Sequence, residues 1–206
     1  YNHLQKINSF KKITFINQKT AKGLGDAILQ AEDYVGKNPF AVLLPDEIIY
    51  PLKNNFFALC QCLEAFEKTN SSILGVQQVA KQDVSKYGII DAENYNTSLI
   101  EINKIDEKPS LLEAKSTFAS LGRYVFTSDI FTELKKLSPG VGGEIQLTDG
   151  VNGLLKTQKV YGQVLSGIRF DIGNKTNYLK AIIYSALSDE NQGFRNEIID
   201  FVKKLL

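Results

Sequence analysis

The chain has 206 residues, 43% hydrophobic and 23% charged, a composition ordinary for a globular protein with one substantial core. Its formal net charge of +1 reflects 24 basic and 23 acidic residues, and this balance argues against a broad nucleic-acid-binding surface. No apolar run approaches the ~20 residues that a membrane-spanning helix needs. Because the sequence begins with Tyr1 and contains no Met, we expect it to be a fragment of a longer protein.

The only cysteines, Cys60 and Cys62, lie two residues apart in a segment that is predicted to be helical. Side chains at this spacing do not share a helix face, so a shared metal or a disulfide between them is not expected. We predict two reduced, partly buried thiols, as in a cytoplasmic protein. His3 has no partner motif and is assigned no role.

The first predicted element is a short strand at residues 12–18. A loop with two glycines, residues 19–26, then leads into a predicted helix at 26–35. Glycine lets a backbone approach a ligand closely, and free N–H groups at a helix start attract negative charge. The pattern suits an anionic or planar ligand, although Gly25 fits a plain turn equally well.

Residues 40–44 (FAVLL) form a continuous apolar run, which predicts a strand buried on both faces of a parallel sheet. Pro45 ends the strand because it has no N–H to donate. Asp46 and Glu47 follow at its carboxyl end, where ligands bind in open α/β sheets. These acids are placed to hold a metal ion or a ribose hydroxyl, or they form an ordinary polar turn.

A predicted helix at residues 56–68 and a strand at 72–76 continue the alternation of strands and helices. This order predicts an α/β fold, with a Rossmann-like mixed, mostly parallel sheet flanked by helices.

Two further segments carry candidate ligand contacts. Residues 86–91 predict a strand in which Gly88 lets a ligand or another backbone come close. Residues 99–105 partly alternate apolar with polar side chains and predict one half-buried strand. That strand ends in Asp106, Glu107, Lys108 and Pro109, which is either a rigid polar corner at a site or a surface ion pair in a turn.

The remaining elements are strands at residues 117–126, 160–165 and 169–173, and helices at 128–137, from 144 onward, at 175–187 and at 193–205. The strand at 169–173 ends in Asp171 and Gly173. We expect residues 1–187 to form one domain, and residues 188–206 to add a C-terminal helix that either packs as an arm or mediates self-association.

Seven stretches, taken in order, resemble the bacterial UTP–glucose-1-phosphate uridylyltransferases, a family of sugar nucleotidyltransferases. Each stretch is weak by itself, but the seven in sequence are specific for sugar nucleotidyltransferases, and the first and sixth together favour the uridylyltransferase branch. They are residues 18–27 (QKTAKGLGDA), 40–47 (FAVLLPDE), 86–91 (KYGIID), 107–109 (EKP), 122–125 (GRYV), 142–149 (GGEIQLTD) and 170–173 (FDIG).

The resemblance implies a role for each matching position, and a reaction of UTP with glucose 1-phosphate that gives UDP-glucose and pyrophosphate. It also implies Mg²⁺ as cofactor and a homodimer or homotetramer. The implied assignments are Gln18, Gly23 and Gly25 for the nucleotide, Asp46 for the nucleotide and for Mg²⁺, Asp171 for the metal, Gly88 and Glu107 for glucose, and Lys108 for the sugar phosphate. Asp46 and Lys108 are the expected catalytic residues.

Two departures from the family pattern stand out. Glu47 replaces a second Asp, so its part in the site is left open. The family's N-terminal Gly-rich loop, which carries an Arg and a Lys and cradles the UTP triphosphate, has no counterpart in these 206 residues. Either the sequence omits it, or the protein lacks half of its nucleotide site.

Alternative functions are a glycosyltransferase that consumes a UDP-sugar and a catalytically silent sugar-nucleotide-binding module. The roles of three further residues also remain open. Glu144 and Asp149 are expected to be structural at a helix start, and Arg169 fits a structural or a functional role equally well.

Overall fold

The computed structural model describes residues 13–52, 56–188 and 192–205. The helices are α1 (Leu24–Leu29), α2 (Glu32–Val35), α3 (Ala58–Thr69), α4 (Asp129–Lys135), α5 (Leu147–Leu154), α6 (Lys175–Ser188) and α7 (Gln192–Leu205). The strands are β1 (Phe40–Leu43), β2 (Glu47–Tyr50), β3 (Ser72–Gln78), β4 (Gly88–Asp91), β5 (Leu99–Glu101), β6 (Lys104–Glu107), β7 (Phe118–Phe126), β8 (Val160–Val164) and β9 (Ile168–Asp171). Two short 3₁₀ helices cover Lys81–Lys86 and Val141–Gly143.

Seven strands form the main sheet, in the order β5-β8-β3-β7-β4-β6, with β1 also paired to β7. Strands β2 and β9 form a separate antiparallel pair. The centre of the main sheet is β7, whose nine residues are almost all buried. Its length allows two different strands to share one of its edges.

The sheet forks at this shared edge. Strand β1 pairs with the carboxyl half of β7, where Leu43 lies opposite Arg123, whereas β4 pairs with it at Ala119. At the fork, Leu44 donates its backbone N–H to the carbonyl of Gly122 (2.9 Å). A Cβ on Gly122 would lie 2.7 Å from Leu44 Cβ, so only glycine permits this approach.

The two faces of the sheet carry separate hydrophobic clusters, because successive side chains of a strand point to opposite faces. On one face, Leu74 and Phe126 pack with the apolar sides of α4 and α5. On the other, Ile73 and Val125 pack against α3. Helices therefore cover both faces, and the predicted α/β class with a mixed sheet is confirmed.

The predicted predominance of parallel pairing is not seen among the described strands. Only β3 and β8 pair in parallel, because β7 runs opposite to its neighbours β1, β3 and β4. The prediction that residues 40–44 are buried on both faces is also wrong. In β1, Ala41 and Leu43 are exposed, because only the opposite face, with Phe40 and Val42, packs against a hydrophobic cluster in the described part of the chain.

Two other strand predictions need correction. The strand at 12–18 begins outside the described residues, and residues 13–18 form no strand. Phe15 is 94% exposed there, so its side chain takes no part in the core formed by the described residues. The single strand at 99–105 is instead two strands, because the chain turns between them. One, β5, pairs with β8 and the other, β6, pairs with β4 at the far end of the sheet.

Helix boundaries differ less from the predictions. The helix expected at 26–35 is interrupted at residues 30 and 31, giving α1 and α2. The helix expected from Glu144 begins at Leu147, after an extended Gln146. Across the described residues, no helix is both long enough and apolar enough to cross a bilayer.

Candidate active site

A cleft of about 330 Å³ lies where β1 and β4 part from the edge of β7. Residues from several separate elements line it, including the turn between β1 and β2 and the ends of β4, β6 and β9. Five positions predicted from the sequence meet here, and they are Asp46, Gly88, Glu107, Lys108 and Asp171. The structure therefore brings together residues that are up to 125 positions apart in sequence.

Asp46 lies in the turn between β1 and β2, and Arg123 of β7 holds this turn in place. The Arg123 guanidinium donates to the backbone carbonyls of Leu44 (3.1 Å) and Glu47 (2.5 Å), on either side of Asp46. The Asp46 carbonyl also accepts a hydrogen bond from the N–H of Ile172 (2.8 Å). The backbone of Asp46 is thus fixed on both sides, while its carboxylate faces the cleft.

Asp171 ends β9, and two donors orient its carboxylate. Its Oδ2 accepts a hydrogen bond from the Tyr87 hydroxyl (3.1 Å), and its Oδ1 accepts one from the N–H of Gly173 (3.1 Å). A carboxylate oxygen has two lone pairs, so each oxygen can still accept one more partner in the cleft.

Gly88 and Glu107 lie directly opposite each other in the β4–β6 ladder. A Cβ on Gly88 would lie 3.0 Å from Thr148 Cγ2 and 3.1 Å from Ile105 Cδ1, so a larger residue would crowd the floor of the cleft. Gly88 and Glu107, the two predicted glucose contacts, are therefore neighbours. Gly88 offers a backbone without a side chain, and Glu107 offers a carboxylate.

Lys108 has an unusual backbone conformation, with φ of 44°. This left-handed region is costly for a residue with a Cβ, and a following Pro109 normally favours an extended conformation. The strained turn is closed by a hydrogen bond from the Lys108 N–H to the Tyr87 carbonyl (3.0 Å). Its ammonium lies 3.7 Å from Glu107 and its side chain is 62% exposed, so the charge is free to meet a ligand.

Glu47, by contrast, is committed to Arg169. The guanidinium donates two hydrogen bonds to the two carboxylate oxygens (2.6 and 2.5 Å), and both side chains are nearly buried. Burial lowers the pKa of Arg169, but the bonded Glu47 carboxylate outweighs it and the net shift is upward, so the guanidinium remains charged. The structure therefore gives Glu47 and Arg169 a shared structural contact.

Two tyrosines add neutral hydroxyl groups to the cleft. Burial raises the pKa of Tyr124 to about 12, and the surrounding acids Glu107, Glu47 and Asp46 act in the same direction. Burial also raises the pKa of Tyr87, against the lowering effect of Arg169. Both phenols therefore keep their protons at neutral pH and can donate hydrogen bonds.

Of the four residues expected to bind the nucleotide, Asp46 lines the cleft, whereas Gln18, Gly23 and Gly25 do not. Gln18 donates from Nε2 to Asp26 Oδ2 (2.6 Å) and to the Gly23 carbonyl (3.2 Å). The N–H of Gly25 is bonded to the Ile145 carbonyl (3.0 Å) and is not available to a ligand. Leu24, between the two glycines, does line the cleft.

The charges around the cleft are predominantly negative. Five acidic and two basic side chains line it, and one of the acids, Glu47, is neutralised by Arg169. In the described part of the chain, no three His, Cys, Asp or Glu side chains are grouped so that they could hold a metal ion by themselves. A cation here would be held by one or two carboxylates together with ligand oxygens, which is the arrangement that Mg²⁺ commonly has.

Sequence reasoning assigned no role to Arg123 or Tyr87, although both lie in stretches that carry the resemblance. Arg123 had a detectable signal, because it is a lone cation inside an apolar run and such residues are rarely buried without a partner. Tyr87 had none. The prediction of two free thiols is confirmed, with Cys62 buried and Cys60 half-buried.

The fold and the cleft are those of a nucleotide-transferring enzyme class. The sequence model described as "Nucleotidyl transferase" matches residues 1–186, and the chain belongs to this family. Its relatives within the family include a UTP–glucose-1-phosphate uridylyltransferase of Mycoplasma genitalium, which is 42% identical over 98% of this chain and 70% of its own length. One from Staphylococcus saprophyticus is 42% identical over 94% of this chain and 65% of its own length.

Solved structures agree with this assignment. A UDP-glucose pyrophosphorylase complexed with UDP-glucose has a TM-score of 0.81 and 36% identity, covering 87% of this chain and 69% of that one. A UTP-bound enzyme of the same kind from Acinetobacter baumannii has a TM-score of 0.85 and 28% identity, covering 100% and 71%. The resemblance stated from the seven stretches is confirmed, and the chain spans about two thirds of the length of these relatives.

Proposed function

We propose that the protein transfers the uridylyl group of UTP to α-D-glucose 1-phosphate, forming UDP-glucose and pyrophosphate. One observation carries the proposal. The residues that the family resemblance assigns to metal, sugar and sugar phosphate, far apart in sequence, line a single cleft. The relatives named above supply the identity of the nucleotide and the sugar.

In this reaction a phosphate oxygen of glucose 1-phosphate attacks the α-phosphorus of UTP. A new O–P bond forms as the bond to the pyrophosphate oxygen breaks on the opposite side. No general base is needed, because a phosphate monoester with a second pKa of ~6 is largely ionised at neutral pH. The protein has to align two anions and offset their repulsion.

Lys108 is the residue we assign to the sugar phosphate. Its side chain is exposed to the cleft and its ammonium is only loosely paired with Glu107 at 3.7 Å, so it can exchange this partner for a phosphate oxygen. The strained backbone at φ 44° fixes the direction in which the side chain leaves the turn. Gly88 and Glu107, opposite each other, then lie beside the attached sugar and are assigned to its hydroxyl groups.

Asp46 and Asp171 are the residues that would hold Mg²⁺. Both line the cleft, both are hard oxygen donors, and the negative lining alone would repel UTP. When bound, Mg²⁺ supplies positive charge that stabilises the phosphate oxygens in the transition state. The role of this chain is to present the two carboxylates, through the Arg123-held turn at Asp46 and the two hydrogen bonds at Asp171.

We assign the uracil to the border of the cleft beside Leu24, next to Gln18 and the backbone of Gly23. The Gln18 amide donates to the Gly23 carbonyl and to Asp26, so it would exchange one of these partners for the base edge. Gly25 contributes there by its lack of a side chain. A Cβ at position 25 would lie 2.7 Å from the Ile145 carbonyl oxygen, so glycine lets the start of α1 lie close to the segment that precedes α5.

The test is pyrophosphate release by the purified full-length gene product, given UTP, glucose 1-phosphate and Mg²⁺, with and without EDTA. We expect release that needs both substrates and stops with EDTA. Absence of release, with UDP-glucose still bound, would contradict the proposal. That result would favour a UDP-sugar-using glycosyltransferase or a silent binding module.

We further propose that residues 1–187 are the catalytic domain, that α7 is an arm for self-association, and that the protein is a cytoplasmic homodimer or homotetramer. Support for self-association comes from apolar side chains of α6 and α7 that are about half exposed, namely Tyr178, Leu179, Ile182, Ile183, Phe194 and Phe201. The two free thiols suit a reducing compartment. The mass of the protein in solution, measured by light scattering, tests the oligomeric state.

A further inference from the structure

A chain of contacts leads from Glu47 to Asp171. Glu47 is bonded through both carboxylate oxygens to Arg169, and Arg169 Cζ lies 4.5 Å from the centroid of the Tyr87 ring. The Tyr87 hydroxyl in turn donates to Asp171 Oδ2. We call Glu47, Arg169 and Tyr87 the Arg169 network.

The strand register explains why a cation is needed at this place. In the β2–β9 pair, Glu47 lies directly opposite Asp171, and like charges in that position repel. Arg169 precedes Asp171 by two residues, so both side chains belong to the same face of β9 and Arg169 reaches Glu47 diagonally. The positive charge of Arg169 therefore offsets the negative charge of Glu47. Among these three residues, the negative charge of Asp171 is the one that is not offset.

Arg169 also has a geometric effect. A bidentate guanidinium is held in one plane, and here that plane is placed over the ring of Tyr87. The ring can then pivot little, which keeps its hydroxyl on Asp171. With the N–H of Gly173 on the other oxygen, both Asp171 oxygens have fixed donors.

We propose that Glu47, Arg169 and Tyr87 are positioning residues that fix the direction in which the Asp171 carboxylate faces the cleft. In this arrangement Glu47 is the counter-ion of Arg169 and not a ligand for a cation. The inference rests on the proposed function in one respect, the use of Asp171 to hold a divalent metal ion. Partners of this kind typically change metal affinity by 10–100-fold when they are removed.

The test compares Tyr87→Phe with Tyr95→Phe in the full-length protein. Each substitution removes one phenolic hydroxyl. Among the described residues, the Tyr95 hydroxyl bonds to the backbone of Ala92 and Ile90, outside the cleft, so its loss reports structural cost alone. Mn²⁺, which prefers the same oxygen ligands as Mg²⁺, is titrated into each protein with and without UDP-glucose and followed by electron paramagnetic resonance.

We expect Tyr87→Phe to weaken Mn²⁺ binding by about 10-fold or more, and Tyr95→Phe by less than about 2-fold. Equal effects of the two variants, or no Mn²⁺ binding by the parent protein, would overturn the proposal. The outcome does not depend on turnover. A parent protein that binds Mn²⁺ but releases no pyrophosphate would refute the proposed reaction and still decide the role of Tyr87.

Arg169→Lys tests the middle of the network, because it keeps the charge and loses the planar, bidentate contact. If Arg169 acts through Tyr87, this variant weakens Mn²⁺ binding, and adding Tyr87→Phe to it weakens binding little further. Fully additive effects of the two changes would show independent action and would remove Arg169 from the proposal.

Discussion

Two acid–base pairs in the same cleft have opposite properties. Glu107 and Lys108 are neighbours in sequence, their charged atoms are 3.7 Å apart, and the lysine side chain is 62% exposed. Glu47 and Arg169 are 122 residues apart in sequence, their atoms are 2.5 Å apart, and their side chains are 9% and 12% exposed. Water screens the charges of the first pair, whereas the charges of the second pair are largely shielded from water.

This difference separates a pair that can change partners from one that cannot. An exposed ion pair contributes about 0–1 kcal/mol to stability, so Lys108 loses little when it turns to a ligand. A buried pair has no such freedom, since either charge left alone would be without solvent or counter-ion. The exposed Glu107–Lys108 pair therefore suits ligand binding, whereas the buried Glu47–Arg169 pair suits stabilisation of the structure of the site.

The largest effect is expected for Glu47→Gln. The substitution leaves the Arg169 charge nearly buried without its counter-ion, which typically costs 3–5 kcal/mol of unfolding free energy, measurable by urea denaturation. The control is the double change Glu47→Leu with Arg169→Met, which removes both charges and should restore most of that stability. A cost below about 1 kcal/mol for the single variant would show that the pair is not tightly buried.

Lys108→Ala should act on turnover instead of stability. Losing one charge that stabilises a transition state typically lowers kcat by about 10²–10³-fold, while the loss of an exposed ion pair hardly changes the melting temperature. Lys104→Ala is the matched control, since Lys104 is an exposed lysine at the start of β6, the strand that Lys108 follows, and it is paired with Asp106 and absent from the cleft lining. Near-normal pyrophosphate release by Lys108→Ala would exclude the assigned role.

The smallest effect separates the strain at Lys108 from its charge. Both Lys108→Ala and Lys108→Gly remove the ammonium, but only glycine adopts φ of 44° without cost. We expect the glycine variant to be about 1 kcal/mol more stable than the alanine variant in urea denaturation. If alanine is equally stable, the backbone at residue 108 is not strained.

Sequence reasoning found the parts of the cleft that follow from local rules. Local rules placed Asp46 and Asp171 just after or at the ends of predicted strands and Lys108 in a polar turn before Pro109, whereas their assignment to one site came from the family resemblance. It did not find the partners that depend on register across distant strands. The contact of Glu47 with Arg169 requires β2 and β9 to pair, and nothing in either segment specifies that pairing.

The strand predictions failed for the same reason. Residues 40–44 were apolar enough for a fully buried strand, but burial depends on packing against both faces, and in the described structure only the Phe40 and Val42 face of β1 packs against a hydrophobic cluster. Residues 99–105 had the alternation of one strand, yet β5 and β6 found partners at opposite ends of the sheet. Local pattern predicts that a segment is extended, whereas tertiary pairing decides how it is used.

The fork in the sheet links folding to ligand concentration. A molecule that fills the cleft would contact β4 and β6 on one side and the β1–β2 turn on the other, so it would add contacts between two parts of the structure that β7 and the Arg169 network already connect. Unfolding must release that molecule. By mass action, a ligand at 100 times its Kd adds about 2.7 kcal/mol to the free energy of unfolding. The lifetime of the folded protein in a cell would then rise and fall with the supply of its own substrates.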